Sequence, residues 1–308
     1  MVANQLKGGA GRGLRPLAMA KFIISAFADE ASGDIRGQIE ACKRNNITHI
    51  EPRGLGDGKS INNITPADAR ELRKILDDAG IGISAAGTGY GKIHVTDDFA
   101  PHFEAFKNTV EVTNILGAEK IRMFSFYFTD VENYADYRDE AFARVETLCD
   151  YALAHGVKCC HENERGIYGD IPERCLELHK ALGSKLGGVF DPANFIHDGV
   201  EILPAYDLLE PYVDYLHVKD ARFADGVITP AGMGDARFAE LLRRFARKDG
   251  ERFLTIEPHL KVFEGLKELE ADSGTGNKLE SRLAFEYASS EESFKAAADA
   301  LHMLLIAM

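Results

Sequence analysis

"DYALAHGVKCCHEN", residues 150–163, carries three signals in succession. A helix-spaced segment that begins near residue 138 runs to Ala154, Gly156 follows it, and "VKCCHE" (157–162) is a short apolar run with polar side chains at its end. Glycine stops a helix because it enters the left-handed conformation without a Cβ clash. An apolar run of this length behind such a stop reads as a buried strand. The unit is helix, glycine stop, buried strand.

That unit recurs. Strand candidates are "KFIISAF" (21–27), "THIEP" (48–52), "GISAAG" (82–87), "EKIRMFSF" (119–126), "VKCCHE" (157–162), "LGGVFD" (186–191), "VDYLHVK" (213–219) and "RFLTIE" (252–257). Helical spacing falls between them, at 34–45, 66–79, 98–116, 138–154, 171–182, 203–210 and 235–247, with a last segment at 290–307. Thr65 before Pro66 supplies a start signal, and Gly80, Gly117, Gly156 and Gly183 supply stops. Strict βα alternation predicts a parallel sheet, and eight units predict a closed (β/α)8 TIM barrel, a single domain over residues 21–308. No GxGxxG follows the first strand, which removes the main support for a dinucleotide fold. "GTGYGK" (87–92) lacks the Walker spacing and reads as a glycine-permitted turn.

The 308 residues, 45% of them hydrophobic, suffice for such a core. A net charge of −13 argues against a nucleic-acid binder, which needs clustered Lys and Arg. Cys42, Cys149, Cys159, Cys160 and Cys175 are odd in number and lie mostly in apolar segments, so they are expected as core thiols in a reducing cytoplasm. No apolar stretch approaches the roughly 18 residues of a membrane span. The run after Arg12 and Arg15 mimics a signal peptide, but Lys21 interrupts it and "KFIISAF" is needed as the first strand. Residues 1–20, rich in glycine, are expected to form a disordered extension.

In a barrel of this kind, chemistry sits at the C-terminal ends of the strands. Those ends carry Asp29 and Glu30, Glu51 with Arg53, Lys92 in the third loop, Arg122, His161 and Glu162, Asp191, His217 with Lys219 and Asp220, and Glu257 with His259. The last four strands each offer a metal-competent group, so Glu162, Asp191, His217 and Glu257 could meet at one mouth. Mixed carboxylate and imidazole donors favour Mn²⁺, Mg²⁺, Co²⁺ or Zn²⁺. Period two puts Tyr215, His217 and Lys219 on one face, and Phe253, Thr255 and Glu257 on another. Between His161 and Glu162 it does not choose. Each residue also has a plain structural role open to it: a strand-end acid as a helix cap, His217 as a hydrogen-bonded core histidine, Lys219 and Asp220 as a surface ion pair.

The chain from about Phe22 onward resembles the sugar phosphate isomerase/epimerase superfamily of xylose isomerase-like TIM barrels. The matching pieces are "HEN" (161–163), "FDPANF" (190–195), "HVKDA" (217–221), "PAGMGD" (230–235) and "IEPH" (256–259), and "GYGKI" followed by "KIRMFSF" resembles a sugar isomerase subgroup of undefined specificity. The resemblance implies metal ligands at Glu162, Asp191, His217 and Glu257, with Glu162 and Glu257 as paired acid and base. Asn194 stands where many ketose epimerases carry a substrate-binding histidine, a departure that counts against a ketose 3-epimerase assignment and leaves the implied metal site intact.

The expected activity is a metal-dependent sugar isomerase or epimerase, using one divalent ion, manganese first, and carboxylate proton transfer through an enediolate. Expected substrate contacts are His161, Asn194, Arg53, Lys92, Arg122, Lys219 and His259. The alternative is a lyase on the same scaffold, inosose-dehydratase-like or C-glycoside-cleaving. An AP-endonuclease-like nuclease and a non-catalytic sugar-binding module rank below it. The expected partner is a small sugar, with homo-oligomerisation open. Residues 260–289 are a candidate lid or oligomer contact.

Overall fold

The computed structural model describes residues 19–128, 133–263, 283 and 285–308. Its barrel strands are β1 (Lys21–Ala26), β2 (His49–Ile50), β3 (Gly82–Ile83 and Ala86–Gly87), β4 (Lys120–Met123), β5 (Lys158–Glu162), β6 (Leu186–Phe190), β7 (Val213–Val218) and β8 (Glu251–Ile256). The helices are α1 (Ile35–Arg44), α2 (Pro66–Ala79), α3 (Phe99–Ile115), α4 (Arg138–Ala154), α5 (Pro172–Leu182), α6 (Pro192–His197), α7 (Ile202–Leu209), α8 (Phe238–Phe245) and α9 (Ser290–Ile306).

Local chemistry sets these bounds. Thr65 and Asp68 form a reciprocal capping box at the start of α2, with Pro66 at its first position. Gly80 ends that helix at φ 70°, and Gly156 follows α4 at φ 79°. Asp191, the last residue before α6, caps it by accepting from Asn194 N at 3.0 Å.

The strands pair in parallel from β1 through β8, β7, β6, β5 and β4 to the second piece of β3. The first piece of β3 pairs with β2, and Glu51 N donates to Ala26 O at 2.9 Å to close the ring against β1. The fold is therefore a (β/α)8 TIM barrel. A wide apolar layer between strands and helices, including Phe106, Leu148, Leu178 and Leu241, is fully buried. Each such side chain contributes roughly 1.5–3 kcal/mol by leaving water.

Register settles which side chains enter the barrel. In-register neighbours on parallel strands share a face, and Arg122 sits opposite Cys160, Glu162 and Tyr215 opposite Val189, and His217 opposite Thr255. Ala85, Cys160, Val189 and Tyr215 form the small inner cluster with Phe253 against it. Ser25 and Ser84 join hydroxyls across the interior at 2.6 Å. Near the barrel floor, a register shift between Val213 and Tyr215 brings Asp214 to Lys158 at 2.8 Å. Its carboxylate lies where a Cβ on Gly187 would stand, 1.8 Å from that position.

The third strand, expected as one run over 82–87, is interrupted at Ser84 and Ala85, because it changes partner from β2 to β4. Helix α6 was not expected from spacing, since six residues hold less than two turns of period. Most of the glycine-rich extension and most of 260–289 lie outside the described residues. Among the described residues, no helix is long and apolar enough to cross a membrane.

Candidate metal centre

Glu162 ends β5, Asp191 and Glu257 follow β6 and β8 directly, and His217 lies one residue from the end of β7. Each offers one donor atom, all four residues are buried, and the atoms lie within 4.8 Å of one another. His217 Nδ1 stands 3.1 Å from Glu162 Oε1, 3.3 Å from Glu257 Oε2 and 3.8 Å from Asp191 Oδ2. The other ring nitrogen, Nε2, faces Glu51 Oε2 at 3.5 Å, and Tyr215 donates to Glu51 Oε1 at 3.0 Å. A carboxylate behind the imidazole fixes the tautomer that leaves Nδ1 free to coordinate.

Cations surround this group. Arg122 donates to Glu162 Oε2 at 2.9 Å and to Thr88 O at 3.1 Å. Lys219 Nζ lies 3.0 Å from Glu257 Oε2 and 2.8 Å from Asp191 Oδ2, the latter without the alignment of a hydrogen bond. Arg53 grips Asp29 through two nitrogens, at 2.9 and 3.1 Å, and reaches Glu30 at 3.2 Å and Glu257 at 3.3 Å. Its guanidinium lies 4.4 Å from the centre of the Phe27 ring.

Burial works to raise the Glu162 carboxyl, but His217 and Arg122 outweigh it and hold the group well below the usual range. Glu257 is likewise held low against burial, chiefly by Lys219. Asp191 is pushed up by burial that Lys219 does not fully offset. Burial disfavours charge on His217, yet Glu162 and Glu51 reverse that and raise it well above normal. Glu30 is raised by burial to about 8.

These residues fit a divalent cation. Asp191 Oδ2, which faces His217 Nδ1, is buried without a hydrogen bond. Among the described residues, the buried carboxyl groups of Asp29, Glu30, Glu51, Glu162, Asp191 and Glu257 outnumber the fixed cations Arg53, Arg122 and Lys219 at this end of the barrel, even with Glu30 held protonated at neutral pH. A divalent ion offsets that excess, and oxygen donors with one imidazole suit a hard or borderline ion. A second group, Glu30, Glu257 and His259, also comes within 4.8 Å. There Arg53 already contacts both carboxylates.

The structure separates the expected substrate contacts. Arg53, Arg122 and Lys219 are drawn into the centre, and His259 Nε2 lies 3.5 Å from both Glu30 and Glu257. His259 takes φ 45°, uncommon for a side-chain-bearing residue, and its N–H donates to Glu30 Oε2 at 2.7 Å. Asn194 Nδ2 bonds Glu162 Oε1 at 3.3 Å and Asn163 O at 2.9 Å, so it braces a proposed ligand. Lys92 stands apart, paired with Glu164 at 3.1 Å over the Phe124 ring. His161 goes the other way. The pleat turns it outward to Ser125 Oγ at 2.9 Å, with its ring edge-on to His179 of α5, and burial lowers it to about 3.

Lys219 and Asp220, for which a surface ion pair was one reading, are both buried and point apart. Asp220 accepts N–H groups from Ala221, Gly232, Gly234 and Ala236 at 2.8–3.1 Å, which organises the "PAGMGD" loop. A Cβ on Gly234 would stand 2.3 Å from Asp220 Oδ1. Glu51 and Tyr215 were not singled out as functional from the sequence. Tyr215 carried a signal in sharing the face of His217, and Glu51 in ending its strand.

Residues 39–276 match the family model described as xylose isomerase-like TIM barrel. No curated protein sequence matches the chain. Among solved structures, a probable 3-DHS dehydratase, AsbF, of Bacillus anthracis superimposes with TM-score 0.68 at 16% identity, covering 92% of this chain and 99% of its own. L-ribulose 3-epimerase gives TM-score 0.68 at 17% identity, covering 94% and 95%. The IOLI protein, solved with a bound zinc atom, gives 0.65 at 14% identity, covering 92% and 98%.

Proposed function

The chain belongs to the xylose isomerase-like TIM barrel family, and from that premise we propose that it is a metal-dependent isomerase or epimerase of a sugar or sugar derivative. The observation that carries this reading is the placement of Glu162 and Glu257. They come from β5 and from the end of β8, with two strands between them, and both reach His217 Nδ1, at 3.1 and 3.3 Å. Glu162, Asp191, His217 and Glu257 would hold the ion, manganese being the first expectation. Bound there, a divalent cation supplies Lewis-acid polarisation of a carbonyl.

The proton chemistry belongs to the chain. Glu162 and Glu257 are both held ionised, so either can accept a proton from the carbon next to a carbonyl. Removal of that proton leaves an enediolate. Delivery of a proton to the opposite face of the same carbon by the other glutamate, protonated from solvent for that turnover, gives an epimer, and return of the abstracted proton to the neighbouring carbon, as the hydroxyl proton passes to the former carbonyl oxygen, gives the aldose or ketose isomer. Arg122 and Lys219 keep the two carboxylates apart and oriented, and His259 and Arg53 stand beside Glu257 for hydroxyl recognition.

A dehydratase reading has an observation of its own. Asn194 is tied to Glu162 and to the Asn163 carbonyl, whereas many ketose epimerases place a substrate-binding histidine there. In a dehydratase the same enolisation is followed by loss of a β-hydroxyl. Incubation of the manganese-loaded protein with a ketose panel in deuterated water tests the first reading. Exchange at the α-carbon, abolished by Glu162→Gln and by Glu257→Gln, is expected. Loss of water or carbon–carbon cleavage without exchange products would favour the lyase, and absence of both metal and exchange would sink the isomerase.

A further inference from the structure

The parallel ladder between β5 and β6 runs from Cys159 opposite Leu186 to Glu162 opposite Val189, and it stops there, short of Asp191. A buried backbone N–H and C=O beyond the end of a ladder need other partners, since leaving either one unpaired is costly. The side chain of Asn163 supplies both. Its Oδ1 accepts from Asp191 N at 2.9 Å, and its Nδ2 donates to Asp191 O at 2.9 Å. One side-chain amide thus takes the place of a further stretch of strand, and both residues are buried, Asn163 at 2% exposure and Asp191 at 0%.

The same backbone aims the carboxylate. Asp191 Oδ1 accepts from Asn194 N at 3.0 Å, while Oδ2 faces His217 Nδ1 at 3.8 Å. A second bridge brings in Glu162: Asn194 Nδ2 donates to Asn163 O at 2.9 Å and to Glu162 Oε1 at 3.3 Å. The other half of the centre is built differently. His217 is in register with Thr255, and Glu257 N donates to Val218 O at 3.3 Å, so main-chain pairing sets His217 against Glu257. Between Glu162 and Asp191 that task falls to Asn163.

We propose that Asn163 is a positioning residue: its amide fixes the backbone of Asp191 and, through Asn194, the carboxylate of Glu162, so that the ligands from β5 and β6 face His217 together. The proposal rests on the reading of Glu162, Asp191, His217 and Glu257 as a metal centre, but its test reads ion binding and needs neither a substrate nor turnover. Donors held in place bind an ion without first having to be ordered. Loss of a group that orients ligands costs about 10–100-fold in metal affinity. The probe is Mn²⁺ alone, titrated calorimetrically into the chelator-stripped full chain, with electron paramagnetic resonance of the bound ion and circular dichroism of each variant.

Asn163→Ala is expected to weaken Mn²⁺ binding by about 10–100-fold at unchanged stoichiometry and to change the zero-field splitting of the bound ion. Asn163→Gln keeps the amide on a longer stem and is the variant to read if alanine does not fold; it is expected to weaken binding in the same direction by a smaller factor. Asn45→Ala is the control for a general loosening of the fold. It removes another buried amide, one that donates to Ala41 O at 2.8 Å just past α1, and is expected to leave Mn²⁺ affinity unchanged. Folded Asn163 variants that bind Mn²⁺ as tightly as wild type overturn the proposal and leave the metal centre standing. So does equal weakening in Asn45→Ala, or loss of the fold in both Asn163 variants, which would assign Asn163 to folding instead. Absence of Mn²⁺ binding by wild type overturns the metal centre, and this role with it.

Discussion

Glu51→Gln separates the support behind His217 from the ligands themselves. Glu51 Oε2 faces His217 Nε2 at 3.5 Å, and neither atom has a hydrogen bond of its own. Glutamine keeps the volume and an oxygen for the Tyr215 hydroxyl, and removes the charge. Two full charges at 3.5 Å attract by about 5 kcal/mol at an effective dielectric of about 20. An imidazole that coordinates through Nδ1 is formally neutral and feels only part of that, so the expected loss is about 1.4–2.7 kcal/mol, or 10–100-fold in metal affinity. The assay is calorimetric titration of chelator-stripped protein with Mn²⁺, with circular dichroism to show that the variant is folded. Weaker binding in that range at unchanged stoichiometry is expected. A folded Glu51→Gln variant that binds Mn²⁺ within twofold of wild type would refute the role given to Glu51.

Three other perturbations probe other parts of the account. Saturating Mn²⁺ should raise the melting temperature of the stripped protein, since a ligand at about 1,000 times its Kd adds about 4 kcal/mol, and Asp191→Asn should remove most of the rise in differential scanning fluorimetry. Gly187→Ala puts a methyl 1.8 Å from Asp214 Oδ2 and 2.9 Å from Cys160 Sγ inside the barrel, so urea unfolding should show a loss of about 1–3 kcal/mol. His161 is buried neutral and lowered to about 3, so the unfolded chain binds its proton first as pH falls below about 6.5. That contribution to stability is therefore lost between about pH 6.5 and pH 3, and the penalty of His161→Gln measured at pH 7 should shrink by up to about 1.4 kcal/mol per pH unit on acidification. A penalty independent of pH would contradict the neutral burial.

The barrel was legible because each unit is punctuated locally: a cap such as Thr65 with Pro66, a stop such as Gly156, an apolar strand between. Those signals act within a few residues and need no tertiary partner. The bounds of β3 were not legible, because its interruption reflects a change of neighbour from β2 to β4. Helix α6 escaped because its length carries too little period, although Asp191 and Pro192 are a start signal. At the site, the choice between His161 and Glu162 depends on which face of β5 enters the barrel, and only register against β4 and β6 supplies that. Asp191 shows why residue-by-residue reading stalls: one carboxylate oxygen caps α6 while the other faces His217, so the bland and the functional roles coexist. The burial of Lys219 with two carboxylates, and the diversion of Asp220 to four backbone N–H groups, follow from loop folding over the mouth rather than from local sequence.

The most direct test of the central claim is anomalous diffraction from a crystal of the Mn²⁺-loaded protein. The account predicts one manganese peak, bonded to Glu162, Asp191, His217 and Glu257. No peak among these four, or a peak held by Glu30, Glu257 and His259 in their place, would contradict it.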